Sequence, residues 1–366
     1  MVLTASTSRL PPDRKRACPA PIRVMVVDDS LIVRTVLSRL IDPEPDLEIV
    51  AKASSAELAL AELARTPVDL VLLDLEMPGM GGLEALPRIL AARPGLPVLV
   101  VSTLTEAGAE HTLAALAMGA ADTMLKPRSG QFDQDYRQAL LQRMRILARA
   151  GTVRTSPSPA PALPRPAPAP RVTASPSLIA IGASTGGIHA LGQLLRHLPR
   201  TIRQPLLVVQ HLPASFAAVF ARQLHLASGR EAVVAQDGMP LAPGRIFVAS
   251  GASHMLVRQQ GEELVIGTCT RPAPSGCTPS VDPLLESLAI AAGGQTLAII
   301  LSGMGRDGVI GAGRLVAAGG RILVQDQASS AVWGMPRAIA EAGLAEAVLA
   351  PDQIAKRVAA LCGLQP

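Results

Sequence analysis

The segment Leu178–Gly187 joins a short apolar run to a glycine-rich turn that carries a serine. The run Leu178–Gly182 predicts a buried strand, and the glycines after it permit a tight turn that exposes the hydroxyl of Ser184. Gly182, Ser184 and Gly186 match the G-x-S-x-G spacing of a nucleophile elbow between a strand and a helix. A phosphate-binding turn or a simple helix N-cap explains the same residues equally well. The turn predicts a serine nucleophile only if the chain also supplies its partners.

A serine hydroxyl is a weak nucleophile, so it needs a base within hydrogen-bond reach and a third group that orients the base. Among the six histidines, His211 is the one that directly follows a buried-looking strand, Leu206–Gln210. A further apolar run, Thr296–Leu301, leads into a glycine-rich loop that contains Asp307. Since the carboxyl ends of parallel strands meet at one sheet edge, we predict a triad of Ser184, His211 and Asp307. The alternative role for Asp307 is the N-cap of the next helix.

Acyl transfer through a serine also needs donors for the oxyanion that develops in the transition state. The backbone of Gly303-Met304-Gly305 and the N–H groups that follow Ser184 are the candidates, and loss of one such donor typically lowers the rate by ~10²–10³-fold. The order Ser, His, Asp along the chain differs from the Ser, Asp, His order of α/β-hydrolases. The sequence therefore predicts a triad that arose independently of that fold.

A second group of reactive side chains lies in the first third of the chain. Asp28 and Asp29 follow one strand-like run, Asp74 ends another, and Ser102 and Lys126 end two more. Three carboxylates at one sheet edge repel one another unless a divalent cation lies among them, and Mg²⁺ binds through one or two carboxylates plus phosphate oxygens. These residues predict a Mg²⁺ site that also holds a phosphoryl group. Helix capping by the two adjacent aspartates and an ordinary loop at the lysine are the alternatives.

Length and composition indicate the elements that must position these groups. The chain has 366 residues, enough for two domains, and its 49% apolar but only 2% aromatic content favours parallel sheets covered by helices. We expect an α/β protein in which residues 21–150 form a five-stranded doubly wound domain and residues 177–366 a second doubly wound domain. A predicted hairpin around Gln259–Gly261 makes the second sheet mixed. The expected strands are 23–27, 48–51, 69–73, 97–101, 121–125, 178–182, 206–210, 245–249, 254–258, 263–267, 296–301 and 321–324.

Two segments show no periodic pattern. Residues 1–20 are polar and contain proline, which predicts a disordered tail. Residues 151–176 are rich in Pro and Ala and predict an extended linker between the domains. A PxxP ligand for another protein is the alternative function of this segment.

Composition also bears on location and partners. The four cysteines show no C-x-x-C spacing and are consistent with a reduced cytoplasmic protein, and no apolar run approaches the ~18 residues of a membrane span. We therefore expect a cytoplasmic protein without membrane insertion.

The net charge of +5 suggests a DNA-binding regulator, but no short helix-turn-helix module follows the first domain. A nucleotide-binding turn lacks support because G-x-G-x-x-G and the P-loop lysine are missing.

The residues at the first sheet edge resemble the response-regulator receiver family over its full length. The motifs that carry the resemblance are Asp28-Asp29, Leu73-Asp74-Leu-Glu-Met77-Pro78, Val101-Ser102 and Lys126-Pro127. The resemblance implies that Asp74 is the phosphoacceptor and that Ser102 and Lys126 sense the phosphoryl group. The implied protein ligands of Mg²⁺ are Asp28, Asp29, Asp74 and the backbone carbonyl of Glu76.

The second half resembles the chemotaxis methylesterase family CheB. The matching motifs are Ile181-Gly-Ala-Ser184-Thr185-Gly-Gly187, Gln210-His211-Leu-Pro213, Pro279-Ser-Val-Asp282 and Gly303-Met304-Gly-Arg-Asp307-Gly308. The resemblance implies that Ser184 is the nucleophile, His211 the base and Asp307 the orienting acid. It also implies that Thr185 and Met304 line the site and that the Met304 amide helps bind the oxyanion.

Three positions depart from the two families. Thr123 stands where receivers often carry an aromatic switch residue, and Gly79-Met80-Gly81-Gly82 replaces the usual bulky residue and aspartate after the phosphoacceptor loop. Cys277-Thr278 replaces a His-Arg pair that methylesterases usually have before Pro279. We expect these departures to affect switching and substrate recognition.

The implied reaction is hydrolysis of glutamyl methyl esters on chemoreceptors, together with deamidation of receptor glutamines. The esterase reaction needs no cofactor, whereas phosphorylation of the receiver needs Mg²⁺. The resemblance further implies phosphorylation by the histidine kinase CheA, and a receiver that covers the Ser184 cleft until it is phosphorylated. We expect a monomer without affinity for nucleic acid.

Overall fold

The computed structural model describes residues 20–102, 106–126, 133–154 and 175–364. The expected tail lies outside these ranges except for its last residue. The expected linker also lies outside them, apart from residues 151–154 and 175–176. Pro127, which belongs to one receiver motif, and Cys18 are likewise outside the described residues.

The first sheet has five parallel strands in the order β2-β1-β3-β4-β5. Because helices separate successive strands and the order reverses at β1, the chain winds in both directions from the centre of the sheet. The expected five-stranded doubly wound fold is confirmed. Its elements are β1 (Ile22–Val27), α1 (Leu31–Ile41), β2 (Leu47–Ala53), α2 (Ala56–Arg65), β3 (Leu70–Asp74), α3 (Gly82–Ala92), β4 (Val98–Ser102), α4 (Glu106–Met118), β5 (Asp122–Leu125) and α5 (Gln134–Arg154).

The second large sheet has seven strands in the order β14-β13-β12-β6-β7-β9-β8, and all of its pairings are parallel. Its strands are β6 (Leu178–Ala183), β7 (Leu206–Gln210), β8 (Ala232–Val234), β9 (Ile246–Val248), β12 (Thr296–Ile300), β13 (Arg321–Gln325) and β14 (Ala347–Leu349). The helices are α6 (Gly187–His197), α7 (Ala217–Ser228), α8 (Val281–Ala291), α9 (Val309–Ala317), α10 (Met335–Glu341) and α11 (Pro351–Leu361).

The predicted hairpin forms, with β10 (His254–Gln260) antiparallel to β11 (Glu263–Cys269). It is a separate two-stranded sheet, however, and does not make the large sheet mixed. The buried residues on the hairpin, among them Val257 and Ile266, belong to the same hydrophobic cluster as α8. Packing against a helix supplies the burial that a two-stranded sheet cannot reach alone.

The two large sheets share one continuous apolar cluster. It contains Leu116 of α4 and Ala120 from the first half of the chain, and Ile188 and Phe216 from the second. Helix α4 packs against both α6 and α7. Helix α4 is therefore packed both against its own sheet and against the second half of the chain. No helix within the described ranges is long and apolar enough to cross a bilayer.

Candidate active site

Ser184 directly follows β6, at the carboxyl edge of the parallel sheet. Its N–H donates to the Ser302 carbonyl at 3.0 Å, which joins the turn to the loop after β12. Gly186 has a φ of +74°, a conformation that side chains rarely adopt, and α6 begins at the next residue. The predicted strand, turn and helix thus occur, and they leave the Ser184 hydroxyl partly exposed beside the next strand.

His211 follows β7, the neighbour of β6 in the sheet, and faces Ser184. Its Nδ1 lies 3.1 Å from Ser184 Oγ, and its Nε2 lies 2.8 Å from Asp307 Oδ2. Because ionised Asp307 can only accept, Nε2 carries a proton, and Nδ1 is the nitrogen that accepts from the serine hydroxyl when His211 is neutral. The three predicted side chains are therefore brought together in the order that a triad requires.

Asp307 is held by the N-terminus of α8. Its carboxylate accepts from the Ser280 hydroxyl at 2.6 Å, from the Val281 amide at 2.7 Å and from the Gly308 amide at 3.0 Å, besides the bond from His211. The N-cap alternative predicted this acid at the start of the helix that follows it, α9. The structure shows that Asp307 caps the preceding helix, α8, whose unpaired N–H groups and positive dipole end favour a carboxylate.

These contacts govern the titration of both residues. Burial by itself would raise the pKa of Asp307, but the bond from His211 and the donors around Ser280 outweigh burial and lower the pKa to about 2. Burial likewise opposes a charge on His211, yet Asp307 and the neighbouring thiol of Cys277 raise the pKa of His211 to about 9. The site therefore stabilises an imidazolium, the form that His211 takes when it accepts the serine proton.

The loop after β12 brings backbone donors to the serine. A Cβ built at Gly303 would lie only 3.0 Å from the Cβ of Ser184, so this approach requires glycine. The backbone N–H groups of Thr185 and Met304 donate to no acceptor within the described part of the chain. The Gly303 amide, by contrast, donates to the Val332 carbonyl, which removes it from the candidate oxyanion donors.

A cavity of about 420 Å³ lies over Ser184, and both halves of the chain line it. Cys277, the position that departs from the methylesterase pattern, forms part of the wall with His211 and Met304. The opposite wall contains Thr123, whose hydroxyl is buried with no hydrogen-bond partner among the described residues. Two of the three departures identified in the sequence, Thr123 and Cys277, therefore face the same space.

A buried polar contact across this cavity involves Asp122 at the start of β5. Its carboxylate accepts from the Thr185 hydroxyl at 2.9 Å and pairs with Arg143 of α5 at 2.8 Å. Two further polar contacts flank the cavity, one between His189 and the carbonyl of Ala117 at 2.8 Å and one between Arg222 and Glu110 at 3.2 Å. A charged group of the first domain thus binds the residue that directly follows Ser184.

The acids of the first sheet also converge. Carboxylate oxygens of Asp28, Asp29 and Asp74 lie within 4.8 Å of one another. Lys126 Nζ lies 2.8 Å from Asp28 and 2.7 Å from Asp74. The Ser102 hydroxyl is buried nearby and accepts from Thr112 of α4 at 2.7 Å. All five predicted side chains are therefore placed at one edge of the sheet.

The chemistry of this cluster fits a divalent cation. Burial and the neighbouring Asp28 raise the pKa of Asp74, although Lys126 opposes them. Burial would lower the pKa of Lys126, but its two carboxylate partners raise it. Three close carboxylates with one lysine leave net negative charge, and hard oxygen ligands at this spacing suit Mg²⁺. Glu76 contributes a different contact, since its N–H donates to Asp74 at 3.2 Å.

Two family matches cover most of the chain. Residues 179–358 match the CheB methylesterase family, and residues 24–134 match the response regulator receiver domain. A relative in Caulobacter vibrioides, named protein-glutamate methylesterase/protein-glutamine glutaminase 2, is 45% identical, and the alignment covers 92% of this chain and 98% of the relative. The chain belongs to the CheB methylesterase family. Its first domain is a response regulator receiver domain, so the resemblance found in the sequence is confirmed.

Other CheB relatives agree with this assignment. A protein-glutamate methylesterase/protein-glutamine glutaminase 1 of Paramagnetospirillum magneticum is 42% identical, with 91% of this chain and 94% of the relative covered. The crystal structure of the Thermotoga maritima CheB methylesterase catalytic domain superposes with a TM-score of 0.50 at 32% identity, covering 51% of this chain and 99% of that one. The second half of the chain thus has the fold of a CheB catalytic domain.

Some residues of this CheB site were missed by sequence reasoning. Asp122 gave no signal, because it reaches Thr185 only after the two domains dock, and Arg143 gave none because it contacts the site only through Asp122. Ser280 lies in the motif Pro279-Ser-Val-Asp282, which was recognised without a role for the serine. His254 was noted as the start of a hairpin strand, but the structure shows it to be buried and bonded to the Ser280 amide at 3.0 Å.

Proposed function

We propose that this chain hydrolyses glutamyl methyl esters on chemoreceptors and deamidates receptor glutamines, with Ser184, His211 and Asp307 as its triad. One observation carries the proposal, namely the unbroken line of hydrogen bonds from Ser184 Oγ through both ring nitrogens of His211 to Asp307. The names of the relatives support the substrate class, because they are protein-glutamate methylesterases and protein-glutamine glutaminases. All three side chains come from one chain, which supports activity as a monomer.

In the proposed reaction, Ser184 Oγ attacks the side-chain carbonyl while His211 Nδ1 takes its proton. The Nε2–H of His211 donates to Asp307, which stabilises the imidazolium as it forms. The free amides of Thr185 and Met304 bind the oxyanion. His211 then gives the proton to the leaving methanol or ammonia. Water, deprotonated by the same nitrogen, releases glutamate from the acyl-enzyme.

The receiver domain regulates this reaction in our proposal by covering the serine. Residues of both domains wall the cavity over Ser184, so a receptor helix reaches the serine only after the domains separate. Phosphorylation of Asp74 by the kinase CheA draws Lys126 and Ser102 towards the phosphoryl group. Mg²⁺ held by the three aspartates would offset the negative charge of that group during transfer.

A physical route from Asp74 to the docking surface is available without an aromatic switch. Ser102 accepts a hydrogen bond from Thr112, which lies on α4, and α4 packs against the catalytic domain. Movement of Ser102 towards a phosphoryl group lengthens this bond and shifts α4. Since Thr123 has replaced the usual aromatic residue, we assign the switching role to the Ser102–Thr112 pair and to Lys126, which directly follows the strand that Asp122 begins.

The domain bounds in this proposal are those expected from composition, with a receiver at 21–150, a linker at 151–176 and a catalytic domain at 177–366. The two family matches fall within them and leave the Pro/Ala-rich segment unmatched, which supports the division.

The test of the proposed function is Ser184→Ala, with methanol release from methylated receptor membranes as the readout. We expect release to fall to background, while phosphorylation of Asp74 by a small phosphodonor stays normal. Ser228→Ala is the matched control, since that hydroxyl is buried and bonds only within α7 and its end. Methanol release by Ser184→Ala at the rate of the unaltered protein would contradict the triad.

A further inference from the structure

The hydrogen bonds at Asp307 continue away from the cavity. Ser280 is fully buried and its hydroxyl donates to Asp307 Oδ1 at 2.6 Å. The Ser280 N–H donates to Nδ1 of His254 at 3.0 Å, and Nε2 of His254 lies 2.8 Å from the carbonyl oxygen of Arg271. His254 has an exposure of only 1% and belongs to β10 of the separate hairpin. An unbroken polar line thus runs from the hairpin to Ser184.

The two oxygens of Asp307 have different partners. Oδ2 accepts from His211 and from the Val281 amide, whereas Oδ1 accepts from the Ser280 hydroxyl, the Gly308 amide and, at 3.4 Å, the Asp282 amide. The bond from Ser280 is the shortest of the five. A carboxylate anchored by Oδ1 on the side away from the cavity keeps Oδ2 aimed at the imidazole. The Ser280 hydroxyl, the donor closest to Oδ1, therefore helps to fix the rotation of the Asp307 carboxylate.

His254 is in turn confined to one tautomer. The Ser280 N–H can only donate, so Nδ1 of His254 must be unprotonated, and the Arg271 carbonyl can only accept, so Nε2 must carry the proton. Neutral His254 satisfies both contacts and leaves no buried ring nitrogen unpaired. The imidazole thereby fixes the backbone at Ser280, the N-cap residue of α8.

Neighbouring contacts separate this arrangement from ordinary packing. Ser287, also on α8, accepts from the Val257 amide of the same hairpin strand at 2.9 Å, and its hydroxyl donates to the Leu284 carbonyl. Ser287 therefore ties α8 to the hairpin as Ser280 does, but it makes no contact with the triad. The chain itself offers a control for effects that come only from helix–hairpin packing.

We infer that Ser280 and His254 are positioning residues of the proposed reaction, acting through Asp307 to keep His211 aligned with Ser184. The inference rests on the proposed triad. The small hairpin supplies no side chain to the cavity wall near Ser184. Under this inference it nevertheless helps to set the rate of hydrolysis.

The first test compares Ser280→Ala with Ser287→Ala in methanol release from methylated receptor membranes. Because small misplacements of a reacting group carry large rate penalties, we expect kcat of Ser280→Ala to fall by about 10- to 100-fold with KM nearly unchanged. We also expect the acid limb of its pH–rate profile to move to lower pH, since a poorly aimed Asp307 stabilises the imidazolium less. We expect Ser287→Ala to keep the kcat and the acid limb of the unaltered protein, while its thermal stability falls about as much as that of Ser280→Ala.

The second test concerns His254. His254→Asn retains an acceptor oxygen near the position of Nδ1, whereas His254→Leu retains none. We expect the asparagine variant to keep a kcat closer to that of the unaltered protein, and the leucine variant to resemble Ser280→Ala in both rate and pH limb.

Two results would overturn the inference. One is a Ser280→Ala protein whose kcat and acid limb equal those of Ser287→Ala, and the other is a leucine variant as active as the asparagine variant. Neither result bears on the triad itself. Failure of the proposed function is seen separately, as Ser184→Ala retaining activity, so the two outcomes are distinguishable.

Discussion

The two parallel sheets both collect acids at their carboxyl edges, and they treat those acids in opposite ways. In the catalytic domain Asp307 receives four close donors, and its pKa falls to about 2. In the receiver Asp74 lies beside two further aspartates, and burial together with Asp28 raises its pKa. The same fold class therefore provides one carboxylate whose charge is stabilised and one whose charge is destabilised.

This difference matches what each carboxylate is proposed to do. A carboxylate saturated with hydrogen bonds is held in place and is a poor nucleophile, which suits an orienting role. A carboxylate crowded by like charges is stabilised by a bound cation and by a reaction that relieves the repulsion within the cluster. Helix α8 makes the distinction, because its N-terminus points at Asp307, whereas the donors near Asp74 are Lys126 and one amide.

Asp307→Asn should give the largest effect on activity. An amide still accepts from one donor, but it cannot stabilise the His211 imidazolium and it favours the wrong tautomer. We expect methanol release to fall by about 10⁴-fold, as is typical when the orienting acid of a triad is neutralised. Asp29→Asn, at the other sheet edge, is the control and should leave basal release unchanged. A loss of less than tenfold in Asp307→Asn would break the proposed contrast.

The pH dependence of protein stability should give the next largest difference between Asp307 and Asp74. The pKa of Asp307 is lowered on folding, so ionised Asp307 stabilises the folded protein above pH 3.8. This stabilisation is lost as the pH falls towards about 2. We expect that contribution to be roughly 2 kcal/mol in the free energy of unfolding. The pKa of Asp74 is raised, so Asp74→Asn should not destabilise the protein at neutral pH. Denaturant unfolding of Asp307→Asn and Asp74→Asn at several pH values makes the comparison. Equal losses of unfolding free energy in the two variants would contradict the prediction.

Asp122→Ala should raise the basal rate of hydrolysis. The substitution removes a buried, charged hydrogen bond to Thr185, and such bonds contribute about 1.5–3 kcal/mol. The closed form loses that stabilisation, so we expect basal methanol release to rise about tenfold without phosphorylation. Asp46→Ala is the matched control, because Asp46 also pairs with an α5 arginine but makes no contact with the catalytic domain. Equal basal rates in the two variants would remove Asp122 from the regulation.

Thr112→Val should have the smallest effect, and only on activation. Without the hydroxyl that donates to Ser102, a phosphoryl group at Asp74 can no longer move α4 through this contact. We expect the activation by a phosphodonor to fall by about two- to fivefold, within the range for single contacts that couple sites. Basal release should stay the same. Activation equal to that of the unaltered protein would show that the signal leaves Asp74 by way of Lys126 alone.

The sequence predicts both groups of reactive side chains because most of them directly follow strands of four or more residues that are largely apolar. It misses β8 and β14, which have three half-buried residues each and lie at the two edges of the sheet. It also misses α11, whose N-cap Ala350 offers no side-chain bond to mark the start. Short edge elements depend on the neighbouring strand for their stability, so local pattern alone does not reveal them.

The contacts between the domains cannot be predicted from any local sequence pattern. Asp122 and Thr185 lie 63 residues apart, and nothing in either segment indicates the other. Ser280 is a milder case, since its motif was recognised but its role depends on an aspartate 27 residues away. Residues at strand ends can be predicted from topology, whereas residues that meet through docking of two folded surfaces cannot.

The bond between Asp122 and Thr185 has a thermodynamic consequence for signalling. If phosphorylation favours separation of the domains, and a receptor reaches Ser184 only when they are separate, then the two events are linked and the linkage is reciprocal. An abundance of methylated receptor must stabilise the phosphorylated receiver by the same factor by which phosphorylation improves receptor binding. At equilibrium the phosphorylated form would thus be favoured most where unprocessed substrate is most concentrated.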